Sequence, residues 1–190
     1  MKKSKKKKVL GNVILVIAII LIMIGVFEIV LRVSYPLYSN FNTEMWRYSK
    51  EIKKISDYPG LSHEHMPNKS NILYGVEIKT NSLGFRDNEI SSQKKNNTYR
   101  ILLTGDSVTL GWGVKLNDTY AKVLESKLNS GKTSETFEVI NTAVGNYNTE
   151  MEVNMIEKYS YLKPDAIMIG FFPNDAEKTI IQKKGVSYFI

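Results

Sequence analysis

The sequence contains no cysteine and only two histidines. Without cysteine there is no disulfide framework, no thiolate metal site and no thiol nucleophile. His63 and His65 leave little material for a zinc site. Internal repeats are absent, and so is the G-x-x-x-x-G-K-[ST] order of a phosphate loop. A basic face is lacking too, although the net charge is +7. Lys2, Lys3, Lys5, Lys6, Lys7 and Lys8 supply six of those units, and the other 182 residues carry 20 Lys+Arg against 19 Asp+Glu. The excess is a tail, so no nucleic-acid surface is expected. A content of 43% hydrophobic and 24% charged residues excludes a collagen-like or wholly disordered chain. A length of 190 residues suits one domain plus an appendage, or two small domains.

The lysine tail, residues 1–8, runs directly into VLGNVILVIAIILIMIGVFEIVLRV, with no charge between Val13 and Phe27. Residues 9–31 would make a helix of about 34 Å, enough for a hydrocarbon core of about 30 Å. Asn12, Glu28 and Arg32 fall near the ends, where polar groups reach the interface. A cleavable signal peptide also begins with a basic stretch and an apolar one, but FEIVLRVSYPLY offers no small-residue cleavage site. The expectation is an uncleaved single-pass anchor in the cell membrane, contacting lipid through residues 9–31. The lysines favour the cytoplasmic side, which puts the chain from Ser34 onward outside the cytoplasm.

Residues 34–98 form a polar, weakly patterned lead segment. Phe41 to Ile55 reads as a short amphipathic helix with Phe41, Met45, Ile52 and Ile55 partly on one face. Ile72 to Asp87 reads as short strands broken at Asn81-Ser82 and Gly84, and Ser91 to Asn97 as a linker. Residues 99–190 change character. Tyr99–Gly105, Phe137–Val144 and Asp165–Phe172 read as buried strands. The helices between them are expected over Thr119–Leu128 and Asn148–Leu162. In the first, Asp118 is the expected cap, with Val123, Leu124 and Leu128 inward. In the second, Thr149 and Glu152 have capping-box spacing, Met151, Met155, Ile156, Tyr159 and Leu162 share a face, and Pro164 closes the helix. Alternating apolar strands and helices predict an α/β fold with a parallel sheet and right-handed crossovers.

Functional groups of such sheets sit at the carboxyl ends of the strands. The loop after the first strand, TGDSVTLGWGV, carries Ser107 two residues past the strand, near a helix start that would favour negative charge. Gly145 in the second loop can present its N–H unobstructed. Asn174 in the third offers an amide donor. Taken singly, each residue reads equally as a turn or cap; together they fall on three consecutive crossovers.

At these residues the sequence resembles the SGNH/GDSL hydrolase family. YRILLTGDSVTLGWGV matches its first block, with the G-D-S-x-T-x-G core at Gly105 to Gly111. Gly145 in INTAVGNYN is similar to the second block, and Asn174 in FFPND to the third, with Phe172 where the family has glycine. NSLGFRD (Asn81 to Asp87) is similar to a segment that precedes the first block in membrane-anchored members. The resemblance covers residues 63–177. It implies a flavodoxin-like three-layer α/β/α sandwich, of which this chain holds the first three strands. It also implies Ser107 as nucleophile, and an oxyanion hole from the Ser107 and Gly145 N–H groups and the Asn174 side chain. Such serine chemistry needs no metal or organic cofactor. The resemblance implies an acyl ester as substrate class; with the anchor, it leads to the expectation of an acylated cell-envelope polysaccharide, through hydrolysis or acyl transfer.

The family's Asp-x-x-His block, which supplies the general base, has no counterpart after His65. The chain is therefore read as the N-terminal part of a longer enzyme, ending in an apolar run. His63 and His65 are expected as exposed loop residues; base function would require reach to Ser107, and a His-x-His metal pair would need further ligands. The rival expectation is an inert fragment or a glycan-binding pseudoenzyme lacking the base. A third, in which the lysine tail binds anionic lipid or nucleic acid as its main role, competes with simple topology setting.

Overall fold

The computed structural model describes residues 2–34, 40–131 and 134–176, with residues 2–10 as backbone. The chain divides into two compact units, residues 1–40 and 41–190. The first holds one helix, α1 (Lys2–Ser34), and the backbone of Lys2–Lys8 continues the apolar stretch without a break. Gly11–Ser34 is long and apolar enough to cross a membrane, and none of it is buried inside protein. Near its end Arg32 Nε donates to Glu28 Oε1 at 2.8 Å, so the two charges there offset each other. The lysine side chains and the apolar run ending at Ile190 lie outside the described residues.

The second unit opens with α2 (Phe41–Glu51). Two short antiparallel pairs follow: β1 (Lys53–Ile55) with β2 (His63–His65), and β3 (Ser70–Leu73) with β4 (Val76–Lys79). The β3–β4 reversal places Tyr74 at φ 51° and Gly75 at φ 77°, the left-handed pair that a two-residue type I′ hairpin requires. The expected stripe on α2 is corrected. Ile52 is fully buried, but Phe41 and Ile55 are 55% and 69% exposed. The helix stops at Glu51, and Ile55 lies instead at the end of β1 with its side chain exposed. The inward line is Met45, Tyr48 and Ile52, at the three- and four-residue spacing of a helix face.

β5 (Thr98–Gly105), β6 (Thr136–Asn141) and β7 (Ala166–Gly170) form a parallel sheet in the order β6-β5-β7. Between β5 and β6 lie α3 (Ser107–Leu110) and α4 (Tyr120–Asn129); between β6 and β7 lies α5 (Thr149–Lys158). Alternation along β5 divides its side chains between two faces. Ile101 and Leu103 pack with Ala121, Leu124 and Leu128 of α4. Leu102 packs with Met151 and Met155 of α5. The segment before β5 shares these cores: Leu61 and Phe85 join Leu102, while Tyr48, Ile52, Leu73 and Ile78 join Leu110 and Ala143.

Three local expectations change. Thr119, not Asp118, caps α4: its side chain accepts from Lys122 N, and Asp118 sits in a preceding 3-10 turn. Val123 is correspondingly on the outer side of α4. Asn148, not Thr149, caps α5 by accepting from Met151 N, which frees Thr149 and Glu152 from the capping box. The third strand, expected to be buried, has Ile167, Met168 and Ile169 at 52%, 38% and 45% exposure. Among the described residues β7 pairs with β5 alone, and residues on both of its faces are open.

Arg100 fastens the base of the sheet. Its guanidinium is fully buried and donates to Leu162 O at 2.7 Å, Ser91 O at 3.1 Å and Glu138 Oε2 at 2.9 Å. Removing it strands buried carbonyls as well as an ion-pair partner, at a cost of about 2–4 kcal/mol. Arg100→Ala should therefore lower the unfolding free energy by that amount in urea titration.

Candidate functional site

The three loops gather at one rim because the strands are parallel and in register. Gly105 is the partner of Gly170 at the ends of β5 and β7, so Ser107 and Asn174 leave the sheet at the same edge. Val144 N donates to Gly105 O at 3.2 Å, which brings the second loop to the first. Thr109 Oγ1 donates to Gly170 O at 3.4 Å, and Thr149 Oγ1 to Asp175 O at 3.1 Å, joining the third loop to the other two.

Ser107 begins α3, a single turn, and the long helix starts only at Tyr120. The helix-dipole contribution expected at this serine is correspondingly small. Asp106 caps the turn by accepting from Val108 N at 2.8 Å. Gly105 is required by close packing, since a Cβ there would lie 2.1 Å from Thr109 Oγ1. Behind the turn, Arg86 is 1% exposed. It donates to Leu110 O, Gly111 O, Val114 O and Glu77 O at 2.6–3.0 Å. Neighbouring Asp87 accepts from Asn141 N at 3.1 Å and pairs with Lys122 Nζ at 2.5 Å. Arg86 thus fixes the chain just after Ser107, and Asp87 fixes the end of β6. Ser107 itself is half-buried, and its hydroxyl has no protein partner among the described residues.

Gly145 is buried, and both sides of its peptide are held by the lead segment. Its N–H donates to Tyr48 Oη at 3.0 Å. Its carbonyl accepts from Lys53 Nζ at 2.6 Å and lies 3.0 Å from His63 Nε2. A Cβ at this position would meet Tyr48 Cε1 at 2.9 Å, so only glycine lets the phenol approach. The N–H assigned by resemblance to an oxyanion is therefore engaged by a phenol that is wholly buried.

The histidines are corrected from exposed loop residues to members of β2. His65 is 4% exposed. Its Nδ1 faces Gly84 O at 3.0 Å and its Nε2 faces Tyr48 Oη at 2.6 Å. A carbonyl can only accept, so Nδ1 carries the proton and Nε2 takes the Tyr48 O–H. Tyr48 is then donor to His65 and acceptor from Gly145. His63 Nδ1 lies 2.8 Å from Ser62 Oγ. Burial, reinforced by the charge of Lys53, pushes both imidazoles down to about 3. Burial likewise pushes Lys53 down to about 7. Its Nζ lies 4.5 Å from the centre of the Tyr48 ring, an arrangement favourable to the charged form. Among the described residues the hydrogen-bond partners of the His63 and His65 rings are Ser62, Lys53, Gly145, Gly84 and Tyr48 and not Ser107, so neither is placed as its base.

Asn174 is half-buried in a 3-10 turn, Pro173–Ala176, and its amide has no protein partner among the described residues. Asp175 beside it is 1% exposed and accepts from Phe172 N at 2.5 Å. No group of three or more His, Cys, Asp or Glu among the described residues is arranged to hold a metal ion. A polar cleft of about 360 Å³ lies elsewhere, lined by Asn68, Lys79, Asn81, Arg86, Asp87 and Glu89 among others, and includes none of the three candidate residues.

Sequence reasoning missed Tyr48, Lys53 and the role of Arg86. Tyr48 was legible as the middle of a Met45–Tyr48–Ile52 stripe. Arg86 lies in the NSLGFRD motif, but the motif does not say that it reaches four carbonyls. Lys53 carries no sequence signal. No protein-family model matches the chain, and no curated protein matches it.

Tyr48→Phe removes one oxygen and leaves Gly145 N–H and His65 Nε2 without partners in a buried place. It should cost about 1–3 kcal/mol by urea titration. The imidazoles also make stability pH-dependent. Their folded pKa values lie below the unfolded value, so the unfolded chain binds more protons between about pH 6.5 and 3 and stability falls with acidification across that window. His65→Gln should make this loss shallower relative to the parent protein when unfolding is followed from pH 7 to pH 4.

Proposed function

We propose that this protein is a membrane-anchored, extracytoplasmic serine ester hydrolase or acyl transferase of the SGNH/GDSL type, with Ser107 as nucleophile. The observation that carries the reading is the placement of Ser107 and Asn174 at the ends of two in-register parallel strands, with both side chains unpartnered among the described residues. In the proposed reaction the Ser107 oxygen attacks an ester carbonyl, its proton passes to a general base that is not among the described residues, and that base returns the proton to the oxygen of the departing alcohol as the C–O bond breaks. The acyl-serine is then resolved by water or by a second alcohol. The Ser107 N–H and the Asn174 amide hold the tetrahedral oxyanion, each such donor being worth about 3–4 kcal/mol. Gly145 contributes its N–H only by exchanging the bond it makes to Tyr48. The packing of α4 and α5 on opposite faces of β5 is what supports a flavodoxin-like sandwich. The apolar α1 supports the membrane role, and the lysine tail supports a cytoplasmic N-terminus. Residence at that surface makes an acylated envelope glycan the proposed substrate.

A second reading, a glycan-binding or inert relative, is favoured by one observation. Both histidines and the Gly145 N–H are committed to the Tyr48 network. Fluorophosphonate labelling separates the two. The esterase reading expects Ser107 to be labelled, labelling to vanish in Ser107→Ala, and Asn174→Ala to slow it by about 10²–10³. A protein that takes up no label at Ser107 belongs to the second reading. Carbonate extraction tests the anchor: the full chain should stay with the membrane pellet, and a chain lacking residues 1–33 should be released.

A further inference from the structure

Glu152 is fully buried in the first turn of α5, and neither of its carboxylate oxygens has a hydrogen-bond partner among the described residues. Asp175, also buried, uses Oδ2 to accept from Phe172 N, and its Oδ1 has no partner among the described residues. Asp106, 2% exposed, is the third carboxylate, one residue before Ser107. Thr104 adds a buried hydroxyl without a partner among the described residues; it shares the β5 face of Leu102, which packs on α5. Thr149 Oγ1 donates to Asp175 O, and Glu152 lies three residues further along the same face of α5, so the third loop brings Asp175 to the side of Glu152; buried carboxylates held close together cannot all stay ionised without a cation or a proton. The described residues hold no arrangement suited to a metal ion.

We propose that Glu152 and Asp175 share one proton, and that this proton fastens the Asn174 turn to α5 and to the Ser107 loop, making Glu152 a positioning residue of the candidate site. The inference rests on the reading of Ser107 and Asn174 given above. The Glu152 O–H donates to Asp175, whose other oxygen keeps the Phe172 N–H. The third loop is thereby held at two points on α5, the second being Thr149 Oγ1 on Asp175 O at 3.1 Å. The titratable groups whose charge acts on Glu152 are Asp175 from the third loop, Asp106 from the first and the Tyr120 phenol from α4. Burial first, and then the charges of Asp175 and Asp106, push the Glu152 carboxyl up to about 7. A raised folded value means that stabilisation is complete below the unfolded pKa of about 4.5 and is lost as pH rises towards 7.

The test compares the full chain in detergent with Glu152→Gln, Glu152→Ala and Asp175→Asn between pH 5 and pH 8. Glutamine mimics the protonated acid. Glu152→Gln should melt with the parent at pH 5 and about 5 °C or more above it at pH 8, whereas Glu152→Ala should melt lower at pH 5. Asp175→Asn should flatten the parent's pH dependence. The same pattern should appear in a Ser107→Ala background, because it needs no nucleophile. The ratio of fluorophosphonate labelling rates, Glu152→Gln over parent, should rise across the same pH range. The proposal is overturned if Glu152→Gln tracks the parent at every pH. It is equally overturned if calcium or magnesium raises the parent's melting temperature at pH 8 but not that of Glu152→Gln, which would put a metal where the proton is assigned. A melting pattern as expected with no label at Ser107 upholds the shared proton and rejects the esterase reading.

Discussion

The Gly145 peptide is gripped from both sides by residues that precede the sheet in sequence. Tyr48 accepts from its N–H, while Lys53 donates to its carbonyl and His63 lies within hydrogen-bond distance of it. All of these groups are buried or nearly so, and bonds of this kind are costly to leave unmade. The grip therefore decides where the loop after β6 can go. It also explains the chemistry of its own members. An imidazole that donates to a carbonyl and accepts from a phenol must stay neutral, and a lysine enclosed with two imidazoles loses its proton readily. The lead segment is, in physical terms, one wall of the rim on which Ser107 and Asn174 stand.

Arg86 and Asp87 extend the same principle to the first loop. A guanidinium that donates to four carbonyls holds the chain after Ser107, with no carboxylate partner among the described residues. The adjacent carboxylate pins the end of β6 and reaches Lys122 on α4. Two neighbouring residues in the lead segment thus set the positions of two loops. On the opposite side, the buried carboxylates of Glu152 and Asp175 form an electrostatic counterpart under the third loop. The rim is polar at its base, and its geometry depends on how protons are distributed among buried groups.

The strands and helices were legible because their cause is local. YRILLTG is apolar with a terminal glycine, and the Met151–Met155–Tyr159 spacing has a helical period. Cap identities were less legible, since Asp118 and Thr119, or Asn148 and Thr149, are chemically equivalent candidates and only backbone angles separate them. The burial of His63 and His65 could not be read at all. It follows from pairings across 17 to 82 residues, which no local pattern encodes. The capping-box spacing at Thr149 and Glu152 misled for the same reason: a long-range bond to Asp175 takes the threonine, and burial takes the glutamate. Exposure of β7 was hidden as well, because an apolar strand reads the same whatever covers its faces.

Amide hydrogen exchange at Gly145, measured by NMR on the full chain in detergent, probes the grip most directly. If Tyr48 holds this N–H, its exchange should be slow, governed by global unfolding, and should accelerate by orders of magnitude in Tyr48→Phe while the β5 amides keep their protection. Exchange of Gly145 at the rate of an open loop in the parent protein would contradict the account.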